Sequence, residues 1–387
     1  MKSRLFIHIG THKTGSTAIQ RALKAGEREC LSEGLVRLNC PELLTKRGWS
    51  QADKSELQCW LRDQTESHLG RSRRFLISSE ALSGDPMTGY ADAPVIASHL
   101  RELTRDFDVS ILVFLRRQDD FMESLYTQTI HEGSSQTFDE FRKTIKPEAM
   151  NWQKLLEAYA AEFGHGNITA RVYHKDCYPQ PQDLIVDFCR MVGVRPECLK
   201  QRVHTVRNQG FSMEAVEMAR LCNPCLTPAR RRQLRQMLQV VSAKPVFQSY
   251  SYLDLDARRQ LLSLHAKSNT QVRRDYLGGQ DDQPLFPEPD ELPTSFQTAE
   301  AEALTVKMMK MLLELKEAEN RSGILRFMMR VERGWHQFRQ KWLTSGRKRA
   351  TNTARRQSDV EVPAPVIPTT SRRNVQTFET KPALETL

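Results

Sequence analysis

Nowhere does the chain hold a run of about 20 consecutive apolar residues, the length a helix needs to cross a bilayer, so the sequence offers no membrane span. The opening segment MKSRLFIHIG has too few apolar residues before its glycine for a secretory signal and reads instead as a first strand. The expectation is a chain that starts its fold at once and stays in the cytoplasm. A disulfide framework is lacking too. The eight cysteines (Cys30, Cys40, Cys59, Cys177, Cys189, Cys198, Cys222 and Cys225) are scattered, with no leader to carry them to an oxidising compartment. Only Cys222 and Cys225, in CNPC, are spaced like half a metal site or a redox pair, and no second CxxC or CxxH accompanies them. No metal is expected.

A basic body is absent as well. The 387 residues carry 57 Lys+Arg and 47 Asp+Glu, but residues 301–387 hold 17 and 9 of these, leaving a nearly balanced 40 and 38 for the first 300. A nucleic-acid-binding domain concentrates basic residues on its folded surface, so no nucleic-acid partner is expected.

What the chain does contain is alternation. Four short apolar runs read as strands: RLFIHIG (4–10), RFLISSE (74–80), SILVFLR (110–116) and ITARVYH (168–174). The first and third are almost continuously apolar, as strands covered on both faces must be. Helical spacing occupies 17–29, about 92–105, 119–132, 150–163, 182–192, 212–222 and 254–276. The fold class expected is α/β, with a mainly parallel central sheet flanked by helices. Ligands of such sheets sit beyond the carboxyl ends of the strands. A loop rich in proline and acid, GGQDDQPLFPEPDELP (278–293), closes the body. Domain limits are therefore expected at 1–293, with a helical extension over 294–344 and a disordered basic tail over 345–387. Within the extension, apolar residues at 304, 308, 311 and 315 make one seam. Residues 324–343 align Val331, Trp335, Phe338 and Trp342 among Arg330, Arg333, Arg339 and Lys341. Two readings of this second stripe stay open: peripheral contact with an anionic membrane surface, or packing on the body or in a coiled coil.

The segment HIGTHKTGSTAIQ (8–20) carries the chemistry. A strand running to Gly10, a loop to Gly15 and a helix opening near Ser16 make a site for a phosphate-like anion. Free N–H groups and the helix dipole both point there. Gly10 and Gly15 let the backbone turn close to the anion, Thr14, Ser16 and Thr17 add hydroxyls, and Lys13 adds a full charge. A nucleoside-triphosphate loop, G-x-x-x-x-G-K-[ST], has its lysine after the second glycine; here Ser16 holds that position and the lysine comes earlier.

This order of lysine, small-residue turn and Ser/Thr at a helix start resembles the 5′-phosphosulfate loop of sulfotransferases that use 3′-phosphoadenosine 5′-phosphosulfate. The resemblance implies that Lys13 contacts the oxygen bridging phosphate and sulfate. Thr14, Gly15, Ser16 and Thr17 would hold the 5′-phosphate. Further along, VFLRRQDDFMESLYTQ closes a strand with Arg116 and places Ser124 eight positions later, inside the next helix. Sulfotransferases have a strand-end arginine and a helical serine at this separation, both on the donor's 3′-phosphate, and a guanidinium fork suits that role. Arg117 is the competing arginine, and spacing alone favours Arg116. Asp119 or Asp120 is expected to cap the helix. More loosely, ARVYHKDCYPQPQDLIVDFCRMVGV, NQGFSMEAVEMARLCN and SNTQVRRDYLG are similar to later segments of bacterial carbohydrate sulfotransferases, so the resemblance covers about residues 4–290 and implies a P-loop-like sulfotransferase fold.

Sulfuryl transfer to an alcohol needs in-line attack, a base for the hydroxyl proton and positive charge at the bridging oxygen. Many glycan sulfotransferases take the base from the second strand's end, where this chain has Glu80; the alternative is a glutamate placed only against a helix dipole. His12 is the rival base, and His8, inside the first strand, is expected in the core. The acceptor implied is a glycan or other hydroxyl-bearing molecule, chosen by loops within 37–70, 130–150 and 223–252. Two other functions stay open. A P-loop-like phosphotransferase would need a lysine after Gly15 and a strand-end aspartate for magnesium. A non-catalytic nucleotide-binding module would use the basic tail as a tether.

Overall fold

A computed structural model describes residues 2–68, 74–200, 211–242, 250–278 and 283–294, with 304, 305 and 307. These belong to one unit, Met1–Leu312. The stripe over 324–343 and the basic segment from 345 lie outside the described residues, as does most of the seam over 304–315.

Five strands, β1 (Arg4–His8), β2 (Leu35–Arg37), β3 (Arg74–Ser78), β4 (Asp108–Arg116) and β5 (Ile168–Tyr173), form a parallel sheet in the order β2-β3-β1-β4-β5. The α/β expectation holds. After β1 come helices α1 (Ser16–Ala25) and α2 (Glu27–Ser32), and between β2 and β3 lies α3 (Gln51–Glu66). Helix α4 (Ala93–Leu103) precedes β4; α5 (Gln118–Glu132), α6 (Phe138–Thr144) and α7 (Trp152–Phe163) separate β4 from β5. Beyond β5 follow α8 (Pro181–Val192), α9 (Glu197–Lys200), α10 (Met213–Cys222), α11 (Pro228–Val241), α12 (Leu255–Leu264) and α13 (Ala266–Leu277).

The continuous apolar character of β1 and β4 has a direct cause. Successive side chains point to opposite faces, and both faces are covered. Leu5, Ile7, Val109, Ile111, Val113 and Leu115 enter one core with Phe121, Trp152 and Tyr159. Phe6, Leu112 and Phe114 enter the other, with Ile19 and Leu23 of α1 and Ile185 and Phe188 of α8. β1 is central, with β3 on one side and β4 on the other. The chain therefore leaves it in one direction and returns in the other, which opens the crevice where ligands of such sheets bind.

Three departures from the sequence expectation have identifiable physical reasons. The stretch 37–70 is mostly helical: Ser50 and Asp53 form a reciprocal capping box that starts α3. The helix expected over 17–29 breaks at Gly26, where a Cβ would come within 2.6 Å of the Cys198 carbonyl oxygen. Neither Asp119 nor Asp120 caps α5. Both carboxylates pair instead with two guanidinia: Asp119 with Arg117 (2.8 Å) and Arg258 (2.6 Å), Asp120 with the same two at 3.4 and 3.0 Å. Arg117 also donates to the carbonyls of Pro287 and Glu288, and Arg258 to that of Asp290. The proline-rich loop is thus fastened to the body, with Leu285 and Phe286 buried in the first core.

This cluster generates a stability prediction. Burial raises the pKa of Asp119, but the Arg117 and Arg258 guanidinia outweigh it and hold the carboxyl below the usual range. Its contribution is full above the ordinary aspartate pKa and is lost as pH falls through the lowered value. Asp119→Asn leaves two buried cations short of a partner and is expected to cost about 3 kcal/mol in urea unfolding at neutral pH, with the deficit shrinking in acid.

Candidate active site

At the end of β1 the ladder is still held on both sides: Ile9 N–H donates to the Leu112 carbonyl (3.1 Å) and Ser79 N–H to that of His8 (3.0 Å). The chain then turns through three left-handed residues in six, Gly10 (φ 48°), Lys13 (φ 66°) and Gly15 (φ 81°). For lysine this conformation costs about 1 kcal/mol, so the loop must be held from outside. Thr11 Oγ1 donates to the Phe114 carbonyl at 2.7 Å, Thr14 Oγ1 to that of Thr11 at 2.6 Å, and Arg116 Nη1 to that of Lys13 at 2.9 Å. Two of these three bonds come from β4. Gly15 is required for space as well as for φ, since a Cβ there would stand 2.5 Å from Leu184 Cδ2 and 3.3 Å from the Tyr173 ring.

This folding leaves donors over. Gly15 caps α1 without a side-chain bond, and its carbonyl takes the N–H groups of Ala18 and Ile19. The N–H groups of residues 13–17 donate to nothing among the described residues, and neither do the hydroxyls of Ser16 and Thr17. Consecutive unpaired N–H groups around left-handed residues at a helix start form an anion cradle. These unpaired groups lie in the loop singled out from the sequence.

Arg116 stands beside it, at the end of β4. Its Nη1 donates both to the Lys13 carbonyl and, at 3.1 Å, to Ser124 Oγ on α5. The Trp152 indole donates to the Arg116 carbonyl at 2.9 Å, and the Tyr173 ring lies 5.9 Å from the guanidinium carbon. No carboxylate among the described residues pairs with Arg116, and its Nε and Nη2 donate to none of them. The neighbouring Arg117, by contrast, is fully engaged in the buried cluster.

Lys13 has no ion-pair partner among the described residues either. Burial, then the charges of Arg116 and Arg235, lowers its pKa to about 8, against a weaker pull from Glu132. Keeping the ammonium charged there costs about 3 kcal/mol relative to water, an amount that two charge-assisted bonds to an anion can return. Glu80 opens a short 3-10 turn just beyond β3 and accepts from Gln20 Nε2 of α1 at 2.8 Å, which ties it to the loop's helix. His12 is held towards the neutral form mainly by burial, while Glu80 opposes this; its Nδ1 is buried and has no partner among the described residues. His8 is a core residue, as expected: it is wedged between Phe114 and Phe188, bonded to Ser78 Oγ at 2.8 Å and pushed down to about 4 by burial.

Lys13, Arg116 and Ser124 are thus joined through one guanidinium, and Glu80 is joined to α1. Sequence reading missed three supporting residues. Gln20 lies one turn beyond Ser16 within the motif itself, Tyr173 ends a strand already recognised, and Trp152 opens α7. Their signal was position, at carboxyl ends of strands or on the faces that pack there.

No family model matches the chain. An uncharacterised protein of Archaeoglobus fulgidus is 23% identical over 171 residues, 43% of this chain and 46% of that protein, so the match spans less than half of the relative's length. A sulfotransferase from Alicyclobacillus acidocaldarius superposes with a TM-score of 0.36 at 15% identity, over 59% of this chain and 98% of its own. The sulfotransferase domain from the Curacin biosynthetic pathway gives a TM-score of 0.31 at 14% identity, over 63% and 99%.

Because Gly15 is constrained in both φ and space, Gly15→Ala is expected to lower stability by at least about 1 kcal/mol from backbone strain. Thermal unfolding measures this. Ser16→Ala, which removes no internal hydrogen bond, should leave the midpoint within about 2 °C of the unaltered chain.

Proposed function

We propose that this chain is a sulfotransferase that moves the sulfuryl group of 3′-phosphoadenosine 5′-phosphosulfate to a hydroxyl or amine of an acceptor, most fittingly a carbohydrate. The observation that carries the reading is the open Arg116 fork beside the open loop. Two cationic groups, neither ion-paired with a carboxylate among the described residues, share one hydrogen-bonded hinge at Nη1. A nucleoside triphosphate presents its phosphates in one row. A donor with a 3′-phosphate and a 5′-phosphosulfate presents two separate anions, which matches two separate cradles.

In this reading the amides and hydroxyls of residues 14–17 hold the 5′-phosphate, and the Nε and Nη2 donors of Arg116 with the Ser124 hydroxyl hold the 3′-phosphate. The acceptor oxygen forms a bond to sulfur as the bond from sulfur to the bridging oxygen breaks. The electron pair of that bond leaves on adenosine 3′,5′-bisphosphate, where Lys13 meets the developing charge. Glu80, oriented by Gln20, takes the acceptor's proton. His12, neutral and next to Lys13, is the second candidate for that proton. Ser16, standing where a triphosphate loop has its lysine, weighs against a phosphotransferase.

Calorimetric titration tests the donor site. The unaltered chain should bind adenosine 3′,5′-bisphosphate at least about tenfold more tightly than ATP, Lys13→Ala and Ser124→Ala should weaken it, and affinity should fall as pH rises through about 8, where Lys13 loses its proton. Equal affinity for the two nucleotides would remove the basis of the reading. For the base, Glu80→Gln is expected to slow transfer by about a hundredfold with bisphosphate binding unchanged; undiminished turnover assigns the proton to His12.

A further inference from the structure

Helix α11, PARRRQLRQMLQVV, carries four arginines and no acidic residue. Its inner side is fixed by Leu234, Met237, Leu238 and Val241, which pack on the first core. At 3.6 residues per turn, Arg231, Arg235 and Arg232 fall within an arc of about 100° beside that inner side. Arg231 shows which way the arc faces. Its Nε donates to the Leu226 carbonyl at 3.0 Å, and its guanidinium lies so close to Gly133 that a Cβ on that glycine would meet Nη1 at 2.0 Å.

Gly133 ends α5, the helix that bears Ser124. The last residues of α5 are His131 and Glu132; burial first, then the charges of Arg235 and Lys13, push the His131 pKa down, and Arg235 adds to the burial that lowers that of Lys13. Arg231 thus fixes the basic side of α11 against the carboxyl end of α5, the helix that bears Ser124, with Arg235 near enough for its charge to act on Lys13. Arg230, Arg232 and Arg235 are exposed, and none has an ion-pair partner among the described residues. Glu132, the acid facing this group from α5, accepts a hydrogen bond from Gln128 at 2.8 Å. The phosphates of the proposed donor already have the loop and Arg116, so the arginines of α11 are surplus to its charge.

Resting on the sulfotransferase reading, we propose that the acceptor is a polyanionic glycan, one with carboxylate or sulfate groups along its chain. Arg232 and Arg235 hold these groups while one sugar hydroxyl is presented towards Lys13. A neutral sugar has nothing to offer an unpaired row of guanidinia. Each exposed pairing is worth roughly threefold in affinity, so recognition needs several of them and weakens with salt.

The test uses the full chain saturated with adenosine 3′,5′-bisphosphate and two fluorescein-labelled hexasaccharides, one of alternating glucuronic acid and N-acetylglucosamine, the other of N-acetylglucosamine only. Anisotropy should give at least tenfold tighter binding for the acidic sugar in about 50 mM salt, with the gap closing by about 0.5 M. Arg232→Gln with Arg235→Gln should remove that preference while leaving bisphosphate affinity within about threefold. The proposal is overturned by equal binding of the two sugars, by a preference that survives the double variant, or by loss of bisphosphate affinity in that variant, which would give the arginines to the donor. Tighter binding of a single-stranded DNA of equal charge would overturn it in favour of nucleic acid. Failure of the unaltered chain to bind bisphosphate removes the donor reading instead, and is scored separately from the sugar comparison.

Discussion

One guanidinium nitrogen decides the geometry of this protein's business end. Arg116 Nη1 reaches the Lys13 carbonyl on one side and Ser124 Oγ on the other, so the loop after β1, the end of β4 and the first turns of α5 are tied together. The bond to the Lys13 carbonyl is what makes a left-handed lysine tolerable. It acts together with the Thr11 and Thr14 hydroxyls, which satisfy carbonyls that the sharp turn would leave bare. Trp152 fixes the arginine's own backbone in turn.

Arg116 and Arg117 are adjacent in sequence and opposite in circumstance. Arg117 is buried among two carboxylates and two carbonyls, a closed network in which each charge is answered and whose effect is to fasten the 283–294 segment to the body. Arg116 spends one nitrogen on structure and keeps the rest of its fork available. Lys13 and Arg116 therefore place two positive charges side by side, with no ion-paired carboxylate among the described residues. Burial first, then the neighbouring guanidinia, depress the Lys13 pKa, so its charge is held there at a cost.

Most of this was legible in the sequence because the signals were local. The two-faced apolar runs of β1 and β4, the strand-to-helix bend with its two glycines, and the spacing from Arg116 to Ser124 all lie within short windows, and the structure draws Lys13, Arg116 and Ser124 together. What escaped depended on distant partners. β2 is three residues long, too short for a pattern. The need for glycine at the Gly26 break comes from the Cys198 backbone, and the engagement of Asp119 from Arg258. Spacing preferred Arg116 to Arg117, but only the long-range carboxylate and carbonyl contacts explain what the second arginine does. The capping box of α3, Ser50 with Asp53, is by contrast a local signal within 37–70.

The sheet order also sets a schedule for synthesis. Arg4 lies opposite Arg74 on one edge of β1 and Asp108 on the other, so the first strand made is among the last to be enclosed. While a ribosome is still short of β4, the lysine loop lacks both Phe114 and Arg116, the residues that shape it. A nascent chain thus carries the lysine loop unshaped until the centre of the fold closes around it, and any fragment ending before β4 would have the loop's residues without its geometry.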